Sequence, residues 1–160
     1  LAQVAGRAGR GERPGQVILQ TYNPENFNIR AARDQDFEAF YEKEIGFRKA
    51  LSYPPVARMI QLRISGRDPQ RTRQSAERLG GCCRALKAAE PENFAALDIL
   101  GPAEAALARI AGNFRWQVLL KSLSGGALHR FMDRLIADHP KVFAARSERV
   151  VIDVYPFFMM

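Results

Sequence analysis

Two cysteines and two histidines among 160 residues leave little material for metal or disulfide chemistry. Cys82 and Cys83 are adjacent, so they lack the spacer of a zinc knuckle and make a poor structural disulfide; both are read as small buried apolar residues. His129 and His139 each fall in or near a helix with no cysteine or carboxylate pattern around them, which assigns them to the surface or to helix ends. Acids gather once, at Asp34, Asp36, Glu38, Glu42 and Glu44, along a helix edge; a hard cation needs convergent oxygens, so this is a solvated face and no metal site is expected. Long apolar runs are missing as well. No stretch of about 18 or more apolar residues exists, and "LAQVAGRAGR" has neither the apolar core nor the cleavage region of a signal peptide, so the expected compartment is the cytoplasm. Internal repeats and low-complexity tracts are absent. The first residue is Leu1 rather than Met, which reads as a processed product or an excised piece.

What is present suffices for one core. Hydrophobic residues make up 47% of the chain, enough for a single domain with an appended segment. The net charge is +7, and residues 45–90 carry it: ten Lys or Arg stand there against three acids, at 68, 77 and 90. A local surplus of this kind suits a polyanion, whose condensed counterions are released on binding; it also suits a merely solvated basic face.

The elements follow from periodicity. "QVILQTY" (16–22) is β-branched enough for a strand, ended by Asn23-Pro24. From Asp34, the residues Phe37, Phe40, Tyr41, Ile45, Phe47 and Leu51 mark a helix that "SYPP" (52–55) stops. The period then changes to 2: Ile60, Leu62 and Ile64 face one way, Gln61 and Arg63 the other. A helix is expected over about 70–88, striped by Ala76, Leu79, Cys83 and Leu86 and weakened at Gly80-Gly81. Short strands are expected at 96–102, 104–110 and 114–121, the last two joined at Gly112-Asn113. A helix over 125–138, with Leu128, Phe131, Leu135 and Ile136 apolar, precedes a final strand at 149–156 with Val150, Ile152 and Val154 inward. From Val56 to Pro156 the order is β-α-β-β-β-α-β, which predicts the α+β class: a ferredoxin-like, split β-α-β two-layer sandwich. On the strand "RWQVLLK", Trp116, Val118 and Leu120 point to the core, and Arg115, Gln117 and Lys121 to the other face, where they could track a DNA backbone together with Arg63.

The stretch "QVAGRAGRGE" (3–12) asks for a different explanation. Arg7 and Arg10, three residues apart beside Gly6 and Gly9, can bring two guanidinium forks to one phosphate, with Gln3 on the same helical face. By itself the pattern also fits an exposed loop. "QVAGRAGRGERPGQVILQTY" resembles motif VI of superfamily 2 helicases, Q-x-x-G-R-x-G-R, and the strand after it in a RecA-like lobe. "YPPVARMIQLRISG", "ILGPAEAALARIAGNFRWQVLLK" and "VVIDVYPFFMM" resemble the C-terminal part of the primosomal protein N′ (PriA) family of replication-restart helicases.

That resemblance implies a 3′-to-5′ ATP-dependent DNA helicase. Residues 1–23 would end helicase lobe 2 as a RecA-like remnant, 24–55 would be a connecting helical segment, and 56–160 a C-terminal DNA-binding domain. Gln3, Gly6, Arg7 and Arg10 would contact the nucleotide, Arg7 and Arg10 as catalytic residues and Arg10 as the arginine finger. ATP and Mg would be used by the full-length parent only, since this sequence has no Gly-x-x-x-x-Gly-Lys phosphate loop and no acidic metal-holding motif, and the fragment alone is expected to be inactive. The family's zinc ligands would likewise lie in the parent. Expected partners are branched and single-stranded DNA, primosome proteins and single-stranded DNA-binding protein, with no membrane, for a monomer at the nucleoid. The candidate DNA contacts are Arg58, Arg63, Arg71, Arg78, Arg115 and Lys121. Two departures stand out: Tyr155 replaces the second acid of the family's Asp-Val-Asp-Pro ending, and Gly125-Gly126 stands where the family has a basic residue for an acidic-tail docking site, which is therefore not carried over. Two other readings remain: a free-standing nucleic-acid-binding module, which would build "QVILQTY" into its own sheet, and a docking module whose basic tract receives an acidic peptide.

Overall fold

The computed structural model describes residues 1, 3, 8, 15–145 and 147–156, which fall into two compact units, Leu1–Leu51 and Ser52–Met160. In the first unit, helix α1 (Phe27–Asp34) starts where the Asn26 side chain accepts the Asn28 N–H, and it ends at Gln35 in the left-handed region. Helix α2 (Phe37–Ala50) starts where the Asp36 carboxylate accepts the Ala39 N–H at 2.9 Å and ends, as expected, before the two prolines. The Phe27 ring lies 6.1 Å from that of Phe40 and 5.7 Å from that of Phe47, with the Lys43 ammonium 4.9 Å above it. This aromatic contact joins two helices in which no residue is fully buried.

The strand expected over 16–22 does not form. Val17 and Ile18 are 49% and 85% exposed, and no strand among the described residues offers them a hydrogen-bonding ladder, without which β-branched composition alone fixes nothing. A RecA-like remnant is therefore not shown by the described residues, and most of residues 2–14 lie outside them.

The second unit is a two-layer α+β sandwich. Its strands are β1 (Arg58–Gly66), β2 (Asp98–Ile110), β3 (Asn113–Ser122) and β4 (Glu148–Val154), all antiparallel in the order β2-β3-β1-β4. Helices α3 (Pro69–Ala89) and α5 (Gly125–Asp138) cover one face; α4 (Pro91–Phe94) and α6 (Pro140–Phe143) are single turns. Ile60, Leu62, Ile64, Val118 and Leu120 from the sheet meet Ala76, Leu79, Cys83 and Leu86 from α3 and Leu128, Phe131, Met132 and Leu135 from α5. Phe94 sets its ring edge-on to Phe131 at 5.0 Å. Burial pushes the Cys83 thiol up to about 12, while its neighbour Cys82 is only partly buried.

Four expectations change here. The strands expected at 96–102 and 104–110 are one strand, β2, whose register shifts after Leu100 and again after Glu104, with Gly101 at a φ of +96°; the order is therefore β-α-β-β-α-β. The hairpin turns on Ala111 and Gly112, both at positive φ, rather than on Gly112-Asn113. Ile136 is exposed, and Met132, one turn earlier, takes the core position. On β4, Ile152 and Val154, expected to face inward, remain 36% and 43% exposed because the strand lies at the sheet edge. The central strand β1 departs in the opposite sense: Met59 and Gln61, on the face away from the helices, are fully covered.

Gly80 also acquires a meaning. Helix α3 runs unbroken through Gly80-Gly81, and a Cβ on Gly80 would stand 2.8 Å from the Pro102 ring in the bulge of β2. The missing side chain lets helix and strand approach.

Candidate nucleic-acid interface

The second face of the sheet carries the polar side chains. Residues paired across strands share a face, so Arg149, Ser65 and Arg115 form one row across β4, β1 and β3, and Val151, Arg63 and Gln117 form the next. At the sheet centre the Gln61 amide donates to Gln117 Oε1 at 2.6 Å, and Gln61 Oε1 is buried without a partner.

The six candidate DNA contacts do not gather in one place. Arg63 and Arg115 share the outer face near the Gly66 end of β1, and Arg71 stands in the first turn of α3 at that same end. Arg58 is at the opposite end of β1, roughly 23 Å along the strand from Ser65 at about 3.3 Å per residue. It packs 5.6 Å over the Tyr155 ring. Lys121 also lies at that far end, 3.7 Å from the Asp98 carboxylate and 5.6 Å over Tyr53. Arg115 is almost buried and donates to the Leu107 carbonyl at 3.4 Å. Arg78 is exposed about two turns further along α3. Trp116 is half-buried against the core, with the Arg73 guanidinium 5.9 Å from its ring.

At the Gly66 end the chain forms a cleft of about 550 Å³ lined by Ser65, Arg67, Asp68, Arg71, Asn113, Ser147, Glu148 and Arg149, with Gly66 between them. Its geometry follows from local sequence. Asp68 caps α3 by accepting the Arg71 N–H at 2.9 Å, and Pro69 fits the first helical turn. A side chain on Gly66 would meet the Thr72 hydroxyl at 2.6 Å and Glu148 Cγ at 3.2 Å, so only glycine lets the helix start press against β4. Glu148 is buried and accepts hydrogen bonds from the Ser75 and Ser147 hydroxyls. Arg67 and Arg149 were not among the sequence candidates. The signal was available: in a split β-α-β order, β4 runs antiparallel beside β1, which brings its first residues to the end of β1.

Of the nucleotide-site candidates, Gln3 is exposed, and Gly6, Arg7 and Arg10 lie outside the described residues. No group of three His, Cys, Asp or Glu side chains that could hold a metal occurs among the described residues. His129 sits 6.2 Å from the Tyr155 ring, and His139 ends α5. The two departures noted in sequence meet in space: a Cβ on Gly125 would stand 2.9 Å from the Tyr155 hydroxyl. Among the described residues, no helix is long and apolar enough to cross a membrane.

Fold and surface together define a class: a small two-layer α+β domain with helices on one side of an antiparallel sheet and a basic end to its other side. The family model for the primosomal protein N C-terminal domain matches residues 49–157. The replication restart protein PriA of Bacillus subtilis is 31% identical over all 160 residues, which cover 19% of its length. Those of Synechocystis and Treponema pallidum are 40% and 39% identical over 121 and 124 residues, covering 76% and 78% of this chain and 14% and 18% of theirs. The chain belongs to this family, as a C-terminal PriA segment, and spans about a fifth or less of the length of these relatives. Among solved structures, the designed protein Foldit4 covers 64% of the chain at a TM-score of 0.43 and 10% identity, too slight a likeness to bear on fold or function.

Proposed function

We propose that this chain is the C-terminal part of an ATP-dependent 3′-to-5′ DNA helicase that restarts stalled replication forks and assembles the primosome. Its second unit is then a ferredoxin-like domain that binds branched and single-stranded DNA. Gln3, Gly6, Arg7 and Arg10 contact the nucleotide, with Arg10 as arginine finger, inside a pocket whose phosphate loop and Mg ligands belong to the rest of the polypeptide. ATP and Mg supply the phosphoryl-transfer chemistry there, and this chain's part is to place guanidinium groups against developing negative charge. Zinc finds no suitable donors in Cys82 and Cys83, since burial holds the Cys83 thiol protonated and no third ligand stands beside the pair among the described residues.

The observation that carries this reading is the family match together with arginines that have no partner among the described residues at one end of the sheet. The exposed, unpaired "VIL" of residues 17–19 supports a segment that belongs with more polypeptide over a free-standing module, which would have used it as a strand. The test is fluorescence anisotropy of labelled fork and single-stranded DNA across a salt series. Four phosphate contacts give a slope near −3.6 in log K against log salt, and so a loss of roughly a hundredfold between 50 and 200 mM. Binding that ignores salt, or no binding at low salt, overturns the reading.

A further inference from the structure

We propose that the cleft at the Gly66 end of the sheet grips a phosphodiester of the nucleic-acid backbone, with Arg67, Arg71 and Arg149 as its cationic walls. The proposal rests on the DNA-binding reading above and adds the place and the chemistry. Its support is an inventory of guanidinium groups. Arg30, Arg33, Arg48, Arg73 and Arg134 each lie within 3.5 Å of a carboxylate. Arg84 and Arg115 donate to the carbonyls of Gly101 and Leu107, and Arg58 and Arg109 lie over the rings of Tyr155 and Phe114. The guanidinium groups of Arg63, Arg67, Arg71, Arg78, Arg130 and Arg149 have no such partner among the described residues, and three of them, Arg67, Arg71 and Arg149, line one cavity.

The two carboxylates in the cleft wall are already engaged. Asp68 accepts the Arg71 N–H, and Glu148 is buried under the hydroxyls of Ser75 and Ser147. Among the described residues neither forms an ion pair with an arginine. Asn113, whose amide donates to the Ala111 carbonyl at 3.3 Å, keeps a second N–H able to meet a phosphate oxygen, and about 550 Å³ lies within the size range of ligand sites. One arginine fork can match the two non-bridging oxygens of a phosphodiester at once, and the other two guanidinium groups add positive charge beside it.

The test uses the 160-residue chain with labelled fork DNA. The variant Arg67→Ala/Arg149→Ala is compared with Arg130→Ala, which removes an exposed charge on α5 at the other end of the sheet. The expected result is a loss of tenfold or more for the double variant and a salt slope lower by about 0.9, for the one phosphate released, with Arg130→Ala within about twofold of the original. Arg67→Lys/Arg149→Lys should restore the slope while recovering only part of the affinity, because a point charge replaces a fork. All of these side chains are exposed, so unchanged thermal unfolding confirms that the fold is kept. If the double variant binds like Arg130→Ala, the cleft is overturned while DNA binding by the domain stands. If the unaltered chain binds no DNA, both readings fall together. If an acidic peptide, and not an oligonucleotide, competes at the cleft, the phosphodiester assignment is overturned.

Discussion

Gly80 and Gly81 offer a paired test of how α3 meets the sheet. Substituting either by alanine removes the same cost of holding glycine in a helix, about 0.8–1 kcal/mol. Gly81 has nothing within 4 Å of an added Cβ, so Gly81→Ala should stabilise the chain by about that amount. Gly80→Ala gains the same helical preference but places its methyl 2.8 Å from Pro102 Cδ and 3.4 Å from the Arg84 guanidinium. The proline ring cannot swing aside, because it is closed onto the bulged backbone of β2, where Arg84 also donates to the Gly101 carbonyl at 3.0 Å. Overpacking of this kind costs about 1–3 kcal/mol, which offsets the helical gain and leaves Gly80→Ala neutral to about 2 kcal/mol destabilised. Urea unfolding followed by circular dichroism should therefore separate the two variants by about 1–3 kcal/mol at unchanged m-value. Superimposed curves, with both variants stabilised, would refute the close approach of α3 to Pro102.

Two further outcomes can be measured on the same chain. The Cys83 thiol is raised from an ordinary 9.0 to about 12 by burial and by the neighbouring Cys82, so the unfolded chain loses this proton first as pH rises. The folded state then holds more protons than the unfolded one, and Cys83 should make stability fall between about pH 9 and 12; the loss should vanish in Cys83→Ala, measured by urea unfolding at several alkaline pH values. Asp68→Asn keeps a side chain able to cap α3 while removing a negative charge from the cleft, so the melting temperature should hold and fork-DNA binding should tighten about two- to fivefold by anisotropy; weakened binding would count against an anion there.

The sequence made the core legible wherever one face alone was buried. The stripe Ala76, Leu79, Cys83, Leu86 and the alternation Ile60, Leu62, Ile64 are found where the period puts them. It misled where burial is set by partners. Gln61 reads as a solvent-facing residue, yet it lies in a central strand, fully buried, with its amide on Gln117 of β3. "QVILQTY" has strand composition but no strand neighbour among the described residues, and composition cannot supply one. β2 was divided at Gly101-Pro102 because those residues read as a turn; a bulge absorbs the same backbone requirement without ending the strand. The basic surplus over residues 45–90 pointed to a polyanion surface. Which arginines remain unpaired depends on long-range contacts, such as Arg134 with Glu90 and the approach of residues 147–149 to Ser65, that no local pattern encodes.

One consequence follows from β4 being the last strand of the sheet. Among the described residues nothing pairs with its outer edge, and its half-open Ile152 and Val154 give that edge the composition on which copies of a protein self-associate. Arg149 and Asp153, at the two ends of this edge, set charge against edge-to-edge stacking. Arg149 thus serves solubility as well as the cleft, and preparations lacking it call for a light-scattering control at the concentrations used.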